Sequence, residues 1–228
     1  AYVRRQRQMC IRDRHKPDTL IKFQLIDDNS NDENFKKLKD LINSNSIDCK
    51  IIHHNNSEHK EKIAAENNQE TFGNLSSLLK CFEIAKSEQS DLIYFVEDDY
   101  LHYDHSLVDM LDTYERISSQ HKDEIIICPS DYPFNYMTNE KTNILIGSQQ
   151  HWRIITKMLC TFMISKKMFQ KHINNFEKTC EKRHDPFEKY LNEILEKEIA
   201  ISPIKSLAIH LTNVNSSYGL SPFMDYKK

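Results

Sequence analysis

The sequence predicts an α/β domain, and three observations predict it. Short apolar runs of strand length recur along the chain, and amphipathic stretches of helix length stand between them. The two densest acidic clusters, residues 27–32 and 97–99, fall directly after such runs. Strand–helix alternation gives a mostly parallel sheet flanked by helices, and ligands of such sheets gather at the carboxyl ends of the strands.

Each element has its own signal. Leu20 to Ile26 (LIKFQLI) reads as a strand and breaks into DDNSND, dense in turn and cap residues. Phe35, Leu38, Leu41 and Ile42 then recur at helical spacing, with Asp32 and Glu33 as cap and acidic first turn. Lys50 to His53 is a second strand, and the polar stretch 57–68 a loop with a helical turn. Leu75, Leu78, Leu79 and Phe82 mark a helix from Phe72 to about Ser87. Leu92 to Val96 is a buried strand, Ser106 to Ile117 a helix, and Glu124 to Cys128 a strand. Beyond it the rhythm changes. Ile144 to Ile146, Arg153 to Thr156 and Cys160 to Ile164 are short strands with less helix between them. Helices are expected over 166–176 and 186–197, and a last strand near Ser206 to His210.

Composition narrows the chemistry. With 228 residues, 39% hydrophobic content, 11 Phe and 10 Tyr, the chain can bury one substantial core. Only three Gly are present, and neither G-x-G-x-x-G nor G-x-x-x-x-G-K-[ST] occurs, so a glycine-rich phosphate loop is not the binding device. Net charge is −3 and the lysines are scattered, which argues against a nucleic-acid stripe. Six Cys without a C-x-x-C pair read as free thiols of a cytoplasmic protein. No apolar run reaches the length of a membrane span, which leaves peripheral contact at the inner face of a membrane as the closest association expected.

Glu97-Asp98-Asp99 follows the strand 92–96 without a spacer. A solvated strand end that caps the next helix is the simpler explanation. Three adjacent carboxylates nevertheless repel unless a cation sits among them, and hard oxygen ligands suit Mn²⁺ or Mg²⁺. Asp27, Asp28 and Ser30 lie past a neighbouring strand, where a carboxylate can accept hydrogen bonds from a base or ribose. Later in the chain, Asp185 and Glu188 in KRHDPFEKYL are candidate proton acceptors, Asp185 ahead of Glu188. Asp-Pro is also a routine helix start. Asp131 in CPSDYP is a second acid of the crevice. His210 in SLAIHLT follows a short strand. Trp152 is either core or a sugar platform, with Arg153 beside it as a diphosphate contact.

The pairing of IDDNSND with VEDD some seventy residues on resembles the glycosyltransferases of family 2, with the GT-A, Rossmann-like fold. The resemblance covers roughly residues 18–130. It implies a nucleotide-binding half over 18–130 and a mixed acceptor half over 131–228, within one domain spanning 15–228. It implies that Asp27, Asp28, Ser30, Glu97, Asp98 and Arg153 contact a nucleoside-diphosphate sugar. Asp99, with Glu97 and His210, would hold the divalent cation. Glu stands where the family's D-x-D motif begins with Asp. The implied reaction is transfer of the sugar, with inversion, to an acceptor hydroxyl of a glycan or lipid-linked acceptor, in polysaccharide or glycoconjugate synthesis. Two other readings stay open: a receiver-like signalling module with an acidic Mg²⁺ site, and a nucleotidyltransferase.

The opening AYVRRQRQMCIRDR carries five of the eight Arg in the chain and differs in composition from the other 214 residues. It resembles a translated sequencing adaptor rather than a basic tail or transit peptide, so residues 1–14 are expected to be a non-native leader. The family's first strand would then lie upstream of this chain.

Overall fold

The computed structural model describes residues 20–45, 48–63, 66, 68–132, 134–137, 139 and 141–211. The leader expected over 1–14 lies outside them. Ten strands run in chain order: β1 (Phe23–Asp27), β2 (Cys49–His53), β3 (Leu92–Phe95), β4 (Tyr100–His102), β5 (Ile125–Ile127), β6 (Ile144–Ile146), β7 (His151–Ile155), β8 (Phe162–Ser165), β9 (Ile199–Pro203) and β10 (Ala208–His210). The helices are α1 (Asp32–Ser44), α2 (Gln69–Ser87), α3 (Ser106–His121), α4 (Phe134–Met137), α5 (Lys166–Lys171), α6 (Ile173–Thr179) and α7 (Lys189–Leu195), with a 3₁₀ turn at Asn56–His59.

The class is α/β, as expected, and the main sheet is mixed. Its order is β3-β8-β5-β9-β7-β6. The pairings make β3, β5, β9 and β6 run one way and β8 and β7 the other. Hydrogen-bonded parallel neighbours are fewer than the strand–helix rhythm suggests: β5·β9 in this sheet and β1·β2 in a separate pair. The α1 crossover returns β2 parallel to β1, whereas β8 lies between β3 and β5 and runs antiparallel to both.

Each strand serves two cores because successive side chains point to opposite faces. Ile126, Phe162, Ile164 and Ala200 face a layer built from α2, α5, α6 and α7. There Phe82, Phe95, Phe162, Phe169 and Phe176 pack with ring centroids 4.8–6.1 Å apart. Ile125, Ile127, Met163 and Ile201 face α3, against Met110, Ile117 and Trp152. Trp152 is fully buried, so of its two expected roles the core one holds.

Several details depart from expectation. The cap of α1 is Asn31, whose side chain accepts from the Asn34 N–H, and Asp32 is already helical. The helix expected from residue 186 starts at Lys189, with Glu188 rather than Asp185 at its boundary. The helix expected over 166–176 breaks at His172 into α5 and α6. The strands β4 and β9 have no counterpart in the sequence pattern. Strand β9 ends in Pro203, and β4 is three residues between turns, so neither carries a readable period.

Candidate active site

The acids after β3 are assembled by a two-stranded ladder. Strand β10 pairs antiparallel with β4, setting His210 opposite Tyr100, and the Leu211 N–H donates to the Asp99 carbonyl at 2.8 Å. His210 is thereby brought to Asp99 from 111 positions along the chain, with Nε2 2.8 Å from Oδ2. Its ring stacks on Tyr100 at 4.5 Å and 14°, and Tyr132 lies edge-on to it. The Tyr100 and Tyr132 hydroxyls bond to each other, and the Tyr132 hydroxyl reaches His210 Nδ1 at 3.5 Å.

Glu97 turns inward. Its N–H donates to Thr161 Oγ1 at 3.0 Å, and that hydroxyl donates back to Glu97 Oε2 at 3.1 Å. Burial, and then the neighbouring Asp99 charge, pushes the Glu97 carboxyl up to about 7. Glu188 is also raised, by burial, and both carboxyls feel the His210 charge. Burial alone would lower His210, but its hydrogen bond to Asp99 and the surrounding carboxylates raise it instead. Glu97, Asp99, Glu188 and His210 thus form one electrostatic unit at the carboxyl end of β3. Asp98 is exposed at the turn between β3 and β4, and Asp185 is exposed on the loop before α7.

A second group sits beyond β1 and β2. Asp27, Asn29, Ser30, Asp32, Phe35, His53 and His54 line a cleft of ≈ 170 Å³. Asp27 is buried, with Oδ2 3.3 Å from His53 Nδ1, and the ring of Phe35 lies 4.5 Å from that of His53. Asp28 points the other way, onto α2, where it accepts from Ser77 Oγ at 3.2 Å and a Cβ on Gly73 would stand 3.3 Å from its Oδ2.

Helix α2 joins the two groups. Gly73, Ser77 and Cys81 share one face at four-residue spacing, and Cys81 feels the Glu97 charge. Asp28 therefore lies against the Gly73–Ser77 turn of this face.

Arg153 and Asp131 form a buried pair, Nε to Oδ1 3.8 Å. Arg153 also donates to the Asn135 carbonyl at 3.3 Å and lies 3.8 Å over the Tyr136 ring, whose hydroxyl bonds Asp131. Among the described residues, then, the predicted site residues fall into two groups and three outlying positions. Glu97, Asp99, Glu188 and His210 come together. Asp27 and Ser30 share the cleft, with Asp28 behind it. Arg153, Asp98 and Asp185 join neither group.

No three His, Cys, Asp or Glu side chains among the described residues form a ready-made metal cage. The donor set still suits a hard cation that takes one or two carboxylates and completes its shell with water and substrate phosphate. Sequence patterns alone do not single out Thr161, Tyr100, Tyr132, His53 or His54. The run HHNNSEH after β2 is the available signal for the histidines, whereas nothing local distinguishes Thr161. No helix among the described residues is long and apolar enough to cross a membrane. No model of a known protein family matches this chain, and no curated protein matches it.

Proposed function

We propose that the chain is a metal-dependent glycosyltransferase that moves a sugar from a nucleoside-diphosphate donor to an acceptor hydroxyl, with inversion. The observation that carries this reading is the acid–imidazole cluster at the end of β3, where His210 Nε2 lies 2.8 Å from Asp99 Oδ2. The cleft past β1 and β2, lined by Asp27 and Ser30, is a second acidic site of a size for part of a ligand. A nucleoside suits the cleft and its diphosphate the cluster. The cleft is smaller than the range of about 300–1,000 Å³ typical of whole-ligand pockets, which suits a subsite.

Asp99 with His210 and Glu97 would hold Mn²⁺ or Mg²⁺, which when bound supplies positive charge for the leaving diphosphate. The protein's own groups do the rest. Asp27 and Ser30 orient the nucleoside by hydrogen bonds. Glu188, half-buried and within reach of the His210 charge, takes the proton from the acceptor hydroxyl as its oxygen bonds to sugar C1 and the C1–O bond to the diphosphate breaks. Glu188 is favoured over Asp185 because it belongs to the cluster and Asp185 is exposed. Thr161 and Tyr132 position Glu97 and His210.

Thermal denaturation with UDP, GDP, CDP and ADP, each with and without Mn²⁺ or Mg²⁺, tests the reading. Stabilisation by at least one diphosphate is expected only with the cation, and Asp99→Ala is expected to abolish the cation's effect. Equal midpoints under all conditions would overturn it.

A further inference from the structure

Beside the cleft, buried polar groups form a chain that the proposed transfer does not use. His54 Nε2 and His59 Nδ1 each lie 2.8 Å from Ser76 Oγ, and His59 Nε2 lies 3.1 Å from Glu83 Oε2. Lys62 closes the far end on Glu83 at 2.5 Å. His54, His59 and Ser76 are 3%, 2% and 0% exposed. His54 is also a wall of the cleft, and its Nδ1, on the ring side away from Ser76, is buried without a partner among the described residues. A buried, unsatisfied ring nitrogen is costly, and one beside a cleft is met most simply by a ligand.

The chain fixes which kind of partner that nitrogen needs. Burial raises the Glu83 carboxyl, but the Lys62 and His59 bonds outweigh it and keep it ionised, so it can only accept. His59 Nε2 must therefore donate. Passing protons one way along the chain, Ser76 Oγ–H donates to His59 Nδ1, its contact to the Asn56 carbonyl at 3.4 Å being the weaker alternative. The Ser76 oxygen then accepts from His54 Nε2–H. Burial foremost, with His59 and Lys80, lowers the His54 pKa against the opposing pull of Asp28 and Glu58, so the ring is neutral. Its Nδ1 carries a lone pair and no proton.

We propose that His54 Nδ1 is the hydrogen-bond acceptor by which the cleft reads a donor N–H on a nucleobase, with Ser76, His59 and Glu83 as positioning residues that lock its tautomer. The inference deepens the nucleoside-binding reading and rests on it. Asp27, a second acceptor in the same cleft, and the Phe35 ring at its wall suit the same ligand: a flat base with N–H groups on its edge.

The test uses the full chain and calorimetric binding of the four nucleoside diphosphates with Mn²⁺. His54→Gln keeps an amide nitrogen where Nε2 bonds Ser76 and places no nitrogen where Nδ1 stood. It is expected to weaken the preferred diphosphate about tenfold without moving the thermal midpoint. N-methylation of the donor nitrogen of that base is expected to weaken binding to the unaltered chain by a similar factor, and binding to His54→Gln no further. Nitrogen-15 NMR of the unaltered chain reads the tautomer directly: an unprotonated Nδ1 on His54 is expected, changing to mixed tautomers in Ser76→Ala. Undiminished binding by His54→Gln, or a protonated Nδ1, would overturn this inference and leave the transferase reading intact. If the unaltered chain binds none of the four, both fall.

Discussion

Glu97 holds a proton over a pH range in which an ordinary glutamate has lost it. Its carboxyl, pushed up to about 7 by burial and Asp99, stays neutral in the fold while the unfolded chain ionises from about 4.5 upward. The unfolded state then binds fewer protons, so stability falls as pH rises through that window. His210 acts in the same direction: its raised pKa gives stability that is complete below 6.5 and lost as pH rises through the folded value. Glu97→Gln is therefore expected to flatten the fall between pH 5 and pH 8. It should be more stable than the unaltered chain at pH 8 by on the order of 2 kcal/mol, read from urea unfolding at both values. Glu188 makes a kinetic prediction at the same scale. If it takes the acceptor proton, Glu188→Gln lowers kcat by about 10²–10⁴-fold in a sugar-transfer assay, while Asp185→Asn leaves kcat nearly unchanged.

The hairpin of β6 and β7 is closed by Gly147, and here one atom decides the geometry. A Cβ on Gly147 would stand 2.2 Å from Trp152 Nε1 and 2.8 Å from Thr113 Oγ1. Neither neighbour is free to yield. Trp152 is fully buried, and Thr113 accepts from the Ser148 N–H and donates to Asp109. Gly147→Ala is expected to cost about 1–3 kcal/mol in chemical denaturation. Asn31→Ala, which removes the side-chain cap of α1, should cost about 1 kcal/mol. Elements with a strong period were legible in the sequence: α2 and α3 from their apolar spacing, and β3 and β5 from their apolar runs. What stayed hidden depends on long-range pairing. Strand β9 is central only because β5 and β7 flank it, and β4 exists only because β10 lies against it. The site divides the same way. The acids at the ends of β1 and β3 announced themselves, but the choice of Glu188 over Asp185 depends on where α7 packs. Thr161 becomes visible only once β8 lies beside β3.

Across the whole molecule, one sheet holds two cores together, so loss of either should unfold both. The five-ring cluster carries the larger, and Phe176→Ala, at a fully buried ring packed against three others, is expected to cost about 3–5 kcal/mol. The lone Trp152 sits in the other core, which makes its fluorescence a reporter from across the sheet. A single transition, with the Trp152 signal and far-UV circular dichroism shifted alike by Phe176→Ala, is the expected result. The β4–β10 ladder also sets the order in which the site can come into being during synthesis. The cleft of residues 27–54 and the helix beside it are made early, whereas His210 must be translated before Asp99 gains its imidazole partner. A nascent chain halted before β10 would own its cleft and lack its acid–imidazole cluster. The residues of the cleft thus leave the ribosome well before the one that completes the cluster, so the acid–imidazole contact forms late in synthesis.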